Sequence, residues 1–218
     1  MKRKIVALVL VASGLALAGC KLHRGIAGSG VRKTEKRDLK SFHAIDTTGA
    51  YEIDVTCQKP VSFEIKADDN ILPLIKTEVR DGMLFVSNDQ PYHSSKPTLL
   101  RITLPDLNSV SSHGAGEIKI ADARSNDLRI ESTGAASVVA SGAARSVTIS
   151  SSGAGKIDTS NLHAEKARVD VNGASSIDVY ASEQLDVSVS GVGNVSYSGN
   201  PKVVNKHVSG IGSVSPKD

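Results

Sequence analysis

Six copies of one short phrase begin with Ser111-Ser112-His113-Gly114-Ala115-Gly116-Glu117-Ile118 and continue to Val214. Each copy contains a leading glycine, and these are Gly114, Gly134, Gly153, Gly173, Gly191 and Gly210. Successive leading glycines are 20, 19, 20, 18 and 19 residues apart. A fixed period of this size is typical of a solenoid, in which each coil buries its apolar side chains only against neighbouring coils.

Apolar residues recur at alternate positions on both sides of each leading glycine. Four positions after it stand Ile118, Val138, Ile157, Ile177, Val195 and Val214. Mainly apolar columns also lie six positions after it and four and six positions before it, with polar residues between them. A period of two indicates strands rather than helices. Leucine-rich repeats have a similar length, but their leucine and asparagine positions are absent.

The sequence therefore predicts an all-β, parallel β-helix-like solenoid. We expect two short strands per coil, joined at a Gly-Ala-Gly corner and followed by a polar return such as Ala121–Asp127. Coils of this kind stack about 4.8 Å apart, which favours small residues at the corner. The right-handed crossover rule predicts the hand of the solenoid.

Residues 1–19 have the pattern of an export signal. A basic start is followed by an apolar run, Ile5–Leu17, that is too short to span a bilayer. The ending Leu17-Ala18-Gly19-Cys20 resembles a bacterial lipobox, in which the cysteine is acylated and the peptide is cut before it. The alternative is an ordinary secretory signal with an accidental cysteine. We predict lipidation at Cys20, and Lys21 favours the outer membrane by analogy with lipoprotein sorting.

Residues 20–40 form a predicted basic tether. Lys21 to Lys40 contains seven basic and two acidic residues, whereas the remainder of the mature chain is acidic. The tether either contacts anionic lipid head groups or serves as a solvated linker. Nucleic acid is excluded as a partner because the folded part is acidic and the protein is exported.

Residues 41–218 are predicted to form a single solenoid domain, irregular over 41–106 and regular over 107–218. The irregular part contains a hairpin signal at Asp81-Gly82 within Thr77–Val86, a single helical turn within Asp69–Ile75 and a strand at Leu99–Leu104. We expect it to form the first coils or a cap that covers the open end of the solenoid. Ser87–Pro97 is polar and is predicted to protrude as a loop.

Non-repeated motifs carry a family resemblance. They are Gly28-Ser29-Gly30, Glu35, Arg37, Leu39, Phe42, Ile45, Gly49, Asp69-Asn70-Ile71-Leu72 and Asp81-Gly82-Met83-Leu84. Their order, together with the Ser-x-Gly-Ala-Gly-x-Ile repeat, resembles the head GIN domain family, labelled putative autotransporter adhesins. The resemblance covers nearly the whole mature chain. It implies a right-handed β-helix-like solenoid and an envelope location, with no established activity and no functional residues. In two copies Gly-Ala-Ala and Gly-Ala-Ser replace Gly-Ala-Gly, so that Ala136 and Ser175 stand in place of the second glycine, which we expect to alter those corners locally.

Few residues are candidates for chemistry. Asp158 and Asp178 occupy equivalent positions in adjacent coils, where two carboxylates could bind Ca²⁺ or act as an acid/base pair. The interpretation we favour is a solvated sheet face. Cys57 lies on an apolar alternation and is expected to pack in the core. No metal-ligand spacing or phosphate-binding loop is present in the sequence, so we predict no catalytic residues, no metal and no cofactor.

Two functional classes remain. The first is a non-catalytic, membrane-anchored envelope lipoprotein that presents a flat polar face to an envelope protein or a glycan. The second is a carbohydrate-active β-helix enzyme of the polysaccharide lyase or hydrolase type. Such an enzyme needs a groove with converging charged groups and usually aromatic platforms, whereas the chain has no tryptophan and only 3% aromatic residues. Coil lengths vary little and predict no groove, which favours the first class.

Overall fold

The structure is a computed structural model that describes residues 25–217. The predicted signal peptide, the lipobox and Cys20 lie outside the described residues. Within 25–217 the strands are β1 (Ile26–Ala27), β2 (Arg32–Lys36), β3 (Ala44–Thr47), β4 (Ala50–Thr56), β5 (Ser62–Asp68), β6 (Ile75–Arg80), β7 (Met83–Asn88), β8 (Tyr92–His93), β9 (Thr98–Thr103), β10 (Ser109–Ser112), β11 (Ala115–Ser132), β12 (Ala135–Ser151), β13 (Ala154–Val171), β14 (Ala174–Tyr180), β15 (Gln184–Val189), β16 (Val192–Ser198), β17 (Val203–Val208) and β18 (Ile211–Pro216). A 3₁₀ helix spans Leu72–Leu74.

The strands stack in parallel from one end of the molecule to the other. One hydrogen-bonded path runs β7-β3-β10-β11-β12-β13-β14-β16-β18, and a second face continues through β13, β15 and β17. The register places Ile118 beside Val138, Val138 beside Ile157, and so on to Val214. This pairing confirms the parallel β-solenoid, because residues one sequence repeat apart are direct neighbours.

The alternating apolar columns form the core. In the column that begins with Ile118, every member from Ile118 to Val195 is at most 2% exposed. Val214, on the last described coil, is only partly buried. The column extends into the irregular region, where Ile53 pairs with both Ile118 and Leu100. The period-two pattern therefore identified the inward side of each strand correctly.

The polar returns differ from the expectation of two short strands per coil. In β11, β12 and β13 the strand continues through the return, so that Arg124 pairs with Ala143 and Ala143 pairs with His163. These coils therefore have a third paired side. Buried residues such as Ala123 and Leu162, both fully buried, give this side its own inward face. In the later coils the return is a turn between separate strands.

The leading glycines form a ladder in which backbones approach too closely for any side chain. A Cβ atom built on Gly134 would lie 1.8 Å from the carbonyl oxygen of Gly114, and one on Gly153 would lie 1.8 Å from that of Gly134. At all six leading glycines the corresponding distance to a backbone oxygen is 1.7–2.2 Å. Glycine is required here because the corner of each coil rests directly on the preceding corner.

The structure explains why alanine and serine can replace the second glycine of the corner in two copies. Ala136 and Ser175 turn their side chains into the core, where they are 2% and 5% exposed. The Ser175 hydroxyl forms a 2.6 Å hydrogen bond with that of Ser151, which satisfies both buried groups. These two residues place a side chain inside the corner and leave the stacking of the coils intact.

The irregular region forms a cap on the first coils. The hairpin β6–β7 turns at Asp81-Gly82 with φ values of 50° and 73°, the left-handed conformations that a tight hairpin turn requires. The predicted helical turn and the strand near Leu99–Leu104 are also present. Two antiparallel pairings, β2 with β5 and β5 with β9, close this end of the sheet. The second half of the basic segment 20–40 thus contributes a strand to the cap.

A buried carboxylate fastens the N-terminal strands to the cap. Asp68 is 1% exposed and accepts hydrogen bonds from the Ser94 hydroxyl at 2.8 Å and from the Gly30 N–H at 3.2 Å. The Arg32 guanidinium lies 3.6 Å from its other oxygen. The hydrogen bond from Ser94, followed by the hydrogen bond from Gly30 and the positive charge of Arg32, holds the pKa of Asp68 below its usual range despite burial. The prediction that Ser87–Pro97 protrudes as a loop is therefore wrong, because Ser94 donates to Asp68 and β8 pairs with β1.

The last described coil ends the core with a charged side chain. Lys206 occupies an inward position, paired with buried Val187. Its ammonium group donates a hydrogen bond to the Val214 carbonyl at 3.0 Å and lies 4.9 Å from the centre of the Tyr197 ring. An inward-pointing lysine is a common way of protecting an exposed sheet edge from further pairing. No helix within residues 25–217 is long and apolar enough to cross a membrane.

Candidate functional site

The third side of the solenoid carries a groove of about 1060 Å³. The returns of β11, β12 and β13 and the segment that precedes β10 line it. Its charged or titratable side chains are Asp106, Arg124, Asp127, Arg145, His163 and Glu165. The solenoid face therefore carries a wide and open depression at this position.

The groove forms through missing side chains rather than through an insertion. Ala143 lies between Arg124 and His163 in one outward column, so that a methyl group is flanked by two long side chains. The preceding Gly142 has a φ of 131°, and a Cβ atom there would lie 2.2 Å from the Ala123 carbonyl oxygen. Glycine is thus required by a close backbone approach, and the short side chains that follow it leave a depression.

In the described part of the chain, the titratable side chains that line the groove have no side-chain partners. Within residues 25–217 none of the six titratable side chains that line it takes part in an ion pair, and none makes a side-chain hydrogen bond. Some other outward charges of the solenoid are paired, as in Arg168 with Asp170 at 3.0 Å. The His163 ring meets Tyr180 edge to face with a centroid distance of 4.6 Å, which supports the imidazole at the groove wall.

Asp158 and Asp178 lie as predicted on one outward column of adjacent coils. Two lysines accompany them: Lys156 lies 3.9 Å from Asp158 and 3.7 Å from Asp178, and Lys217 lies 3.2 Å from Asp178. Ser160 also donates its N–H and hydroxyl to Asp158. Burial raises the pKa of Asp158, but these hydrogen bonds and the lysine charges outweigh it and lower the pKa. The pair is neutralised by lysines, and Asp178 is only 9% exposed, so the expected solvated face is not found at that residue.

This arrangement predicts that Ca²⁺ has no specific effect on stability. A cation bound to the folded state would raise the melting temperature by mass action, but the positions around both carboxylates are taken by ammonium groups. We expect equal melting temperatures with and without millimolar Ca²⁺, measured by circular dichroism. The Asp158→Asn/Asp178→Asn variant should respond in the same way. A Ca²⁺-dependent rise in the wild type that is lost in this variant would contradict the prediction.

Cys57 is a buried thiol, 1% exposed. Burial, followed by the negative charges of Asp106 and Asp122, raises its pKa to about 11. The thiol is therefore protonated at neutral pH, and the thiolate required of a nucleophile is scarce. Its position supports the interpretation of Cys57 as a small core side chain.

A carboxylate, an imidazole and a hydroxyl line up along the corner, an arrangement that sequence reasoning missed. His113 Nδ1 lies 2.9 Å from Thr133 Oγ1, and its Nε2 lies 3.2 Å from Asp46 Oδ2. The sequence signal was available, because His113 and Thr133 both directly precede a leading glycine. The nearby N–H groups of Ala115 and Ala135 already donate to the preceding coils, so they cannot stabilise an oxyanion. The row is best understood as a hydrogen-bonded bridge across coils.

Metal binding has no support in the part of the chain that the structure describes. No group of three or more histidine, cysteine, aspartate or glutamate residues within 25–217 is placed to hold an ion. Three polar features therefore stand out on the regular solenoid: the groove, the Asp158/Asp178 pair with its lysines, and the row of His113 with Asp46 and Thr133.

The stacked parallel coils with a capped end define the class of β-solenoid proteins. The family described as "Putative auto-transporter adhesin, head GIN domain" matches residues 41–201, and the chain belongs to this family. The adhesin-like family indicates a protein of the cell envelope or cell surface. A search of curated proteins finds no match.

Solved structures share the fold. A putative adhesin from Bacteroides fragilis is 27% identical with a TM-score of 0.74, covering 88% of this chain and 100% of its own. A putative lipid binding protein from Parabacteroides distasonis is 19% identical with a TM-score of 0.58, covering 88% of this chain and 99% of its own. A putative adhesin from Parabacteroides merdae is 16% identical with a TM-score of 0.53, with the same coverage. At these lower identities the likeness concerns the fold alone.

Proposed function

We propose that the chain is a membrane-anchored lipoprotein of the outer membrane and acts as an adhesin-like binding module without catalytic activity. It presents polar solenoid faces to an envelope protein or a glycan. The observation that carries this proposal is a regular, capped solenoid of an adhesin family behind a lipobox that ends at Cys20. The buried thiol of Cys57 and the lysine-neutralised carboxylates support a binding rather than a catalytic role. The family and the structural neighbours give no support to the enzyme alternative.

The fold suggests how such an anchor would orient the solenoid. Strand β1 begins at Ile26, six residues after Cys20, and is held against the cap by β8. An extended chain of six residues spans at most about 20 Å. A lipid on Cys20 therefore keeps the cap close to the bilayer, and the regular coils are free to point away from it. Such an anchor needs more than one acyl chain to be stable.

We expect that Cys20→Ser yields an uncleaved or soluble protein, because no thiol remains to receive the lipid. Palmitate labelling and membrane fractionation provide the measurement. Cys57→Ser is the matched control, since it removes the other cysteine and should leave labelling and fractionation unchanged. Palmitate incorporation and membrane association that persist in Cys20→Ser would refute the anchor. Capture of partners by the lipidated wild type in intact envelopes tests the binding role separately.

A further inference from the structure

We propose that the groove on the third side of the solenoid is a binding site for a neutral oligosaccharide. This inference rests on the proposed function of a binding module and names its ligand class. The groove volume of about 1060 Å³ is slightly above the roughly 300–1,000 Å³ that small-molecule pockets occupy. It crosses the returns of successive coils, so a ligand lying along it contacts groups supplied at about 4.8 Å intervals.

The groups in the groove suit hydroxyl recognition. Carboxylates accept hydrogen bonds from hydroxyl groups, and guanidinium groups donate them, so a surface with both can bind each hydroxyl in either role. Asp127 and Glu165 supply acceptors, while Arg124 and Arg145 supply donors. All four lack ion-pair partners within residues 25–217, so binding does not require breaking an existing pair.

The floor suits a sugar ring. Ala143 exposes a methyl group between the polar walls, whereas the next residue, Ala144, is turned into the core and is 8% exposed. The imidazole of His163, supported by Tyr180, stands at one side. Carbohydrate rings combine an apolar C–H face with a hydroxyl rim, and binding sites commonly pair apolar lining with a few placed polar groups.

Other ligand classes fit less well. A peptide that adds to a sheet requires a free strand edge, but Ala143 is already paired with Arg124 on one side and with His163 on the other. Polyanions such as nucleic acid require an excess of basic groups. The two arginines are instead accompanied by three carboxylates, Asp106, Asp127 and Glu165.

The test measures binding of the full chain, purified in detergent, to immobilised oligosaccharides. The neutral probes are chitin-, glucan-, mannan- and galactan-type oligomers, with polygalacturonate and a peptide array as further arms. We expect at least one neutral probe to bind the wild type. Ala143→Trp fills the groove and should weaken that binding by at least about tenfold, or 1.4 kcal/mol. Asp127→Asn removes a negative charge from the groove lining with little change of shape, and it should also weaken oligosaccharide binding.

Ala154→Trp is the matched control, because Ala154 is an exposed alanine on the corner, outside the groove. It should bind as the wild type does, and circular dichroism should show all variants folded. The proposal is overturned if no neutral probe binds, if only the peptide or polyanion arms bind, or if Ala143→Trp and Ala154→Trp bind alike. These failures would leave the membrane anchor untouched, because the Cys20→Ser experiment reads labelling and fractionation rather than glycan binding.

Discussion

Gly134→Ala is expected to abolish the folded solenoid. The added methyl carbon would lie 1.8 Å from the carbonyl oxygen of Gly114, a distance that no relaxation of a flexible side chain can relieve because the neighbour is backbone. The hydrogen bond from Ala135 N to Gly114 O, 2.8 Å long, lies at the same contact and would have to lengthen. We expect a loss of more than about 4 kcal/mol, in the range reserved for severe steric defects. Urea unfolding followed by circular dichroism provides the measurement.

Two other glycines supply a graded control for this substitution. A Cβ atom on Gly193 would lie 2.9 Å from Val171 Cγ1 and 3.0 Å from the Ser175 carbonyl oxygen, so the loss for Gly193→Ala should be intermediate. A Cβ atom on Gly30 would meet nothing within 4 Å, although its φ of 79° is left-handed. Gly30→Ala should therefore cost only the about 1–2 kcal/mol of left-handed strain. If all three variants lose the same stability, the close stacking of corners is not what requires glycine at Gly134.

The regular coils were predictable because each one repeats the same local information. The alternation around Ile118 and its equivalents identified the strands, their inward sides and, through the constant spacing, their neighbours. The register of the columns then followed, because a slip by one residue would turn every apolar side chain outward. The family resemblance, carried by motifs such as Asp81-Gly82-Met83-Leu84, agreed with the fold and with the family match over residues 41–201.

The cap was only partly predictable, because its pairings are not repeated. The hairpin at Asp81-Gly82 has a local turn signal and was predicted. The antiparallel pairing of β2 with β5 joins Lys36 to Glu64, residues far apart in sequence and without a shared motif. The buried role of Asp68 likewise depends on Ser94 and Gly30 arriving from two separate segments. Such contacts follow from tertiary packing rather than from a local pattern.

The groove was not predicted from the sequence because it arises from short side chains and not from an inserted segment. Coil length alone suggested a uniform surface, whereas the depression comes from the small residues Gly142, Ala143 and Ala144 in one return. In the outward column across three coils, the short side chain of Ala143 lies between the long side chains of Arg124 and His163. The return also had to be recognised as a paired strand before that column could be aligned.

Ile157→Asp is expected to unfold the solenoid or to reduce its stability by several kcal/mol. Ile157 is 1% exposed and packs in register between Val138 and Ile177, so the new carboxylate would enter a dry core without a partner. A typical domain has only about 5–15 kcal/mol of stability, so a loss of this size removes much of it. Ile157→Val keeps the site apolar and should cost only about 0.5–1.5 kcal/mol. Thermal and urea unfolding give the comparison.

Lys156→Ala is the control for this second prediction, because Lys156 precedes Ile157 and points outward, with its side chain 57% exposed. Its ion pairs with Asp158 and Asp178 are 3.9 and 3.7 Å long, and Lys217 remains beside Asp178 when it is removed. The ammonium group of Lys156 is itself exposed to water, and ion pairs at the surface contribute about 0–1 kcal/mol, so the expected change is no larger. Equal losses for Ile157→Asp and Lys156→Ala would mean that the two sides of the strand are not distinguished by burial. A large loss confined to Ile157→Asp would support the ladder from Ile118 to Val195 as the buried side of the strands, since Ile157 faces the core and Lys156 faces solvent.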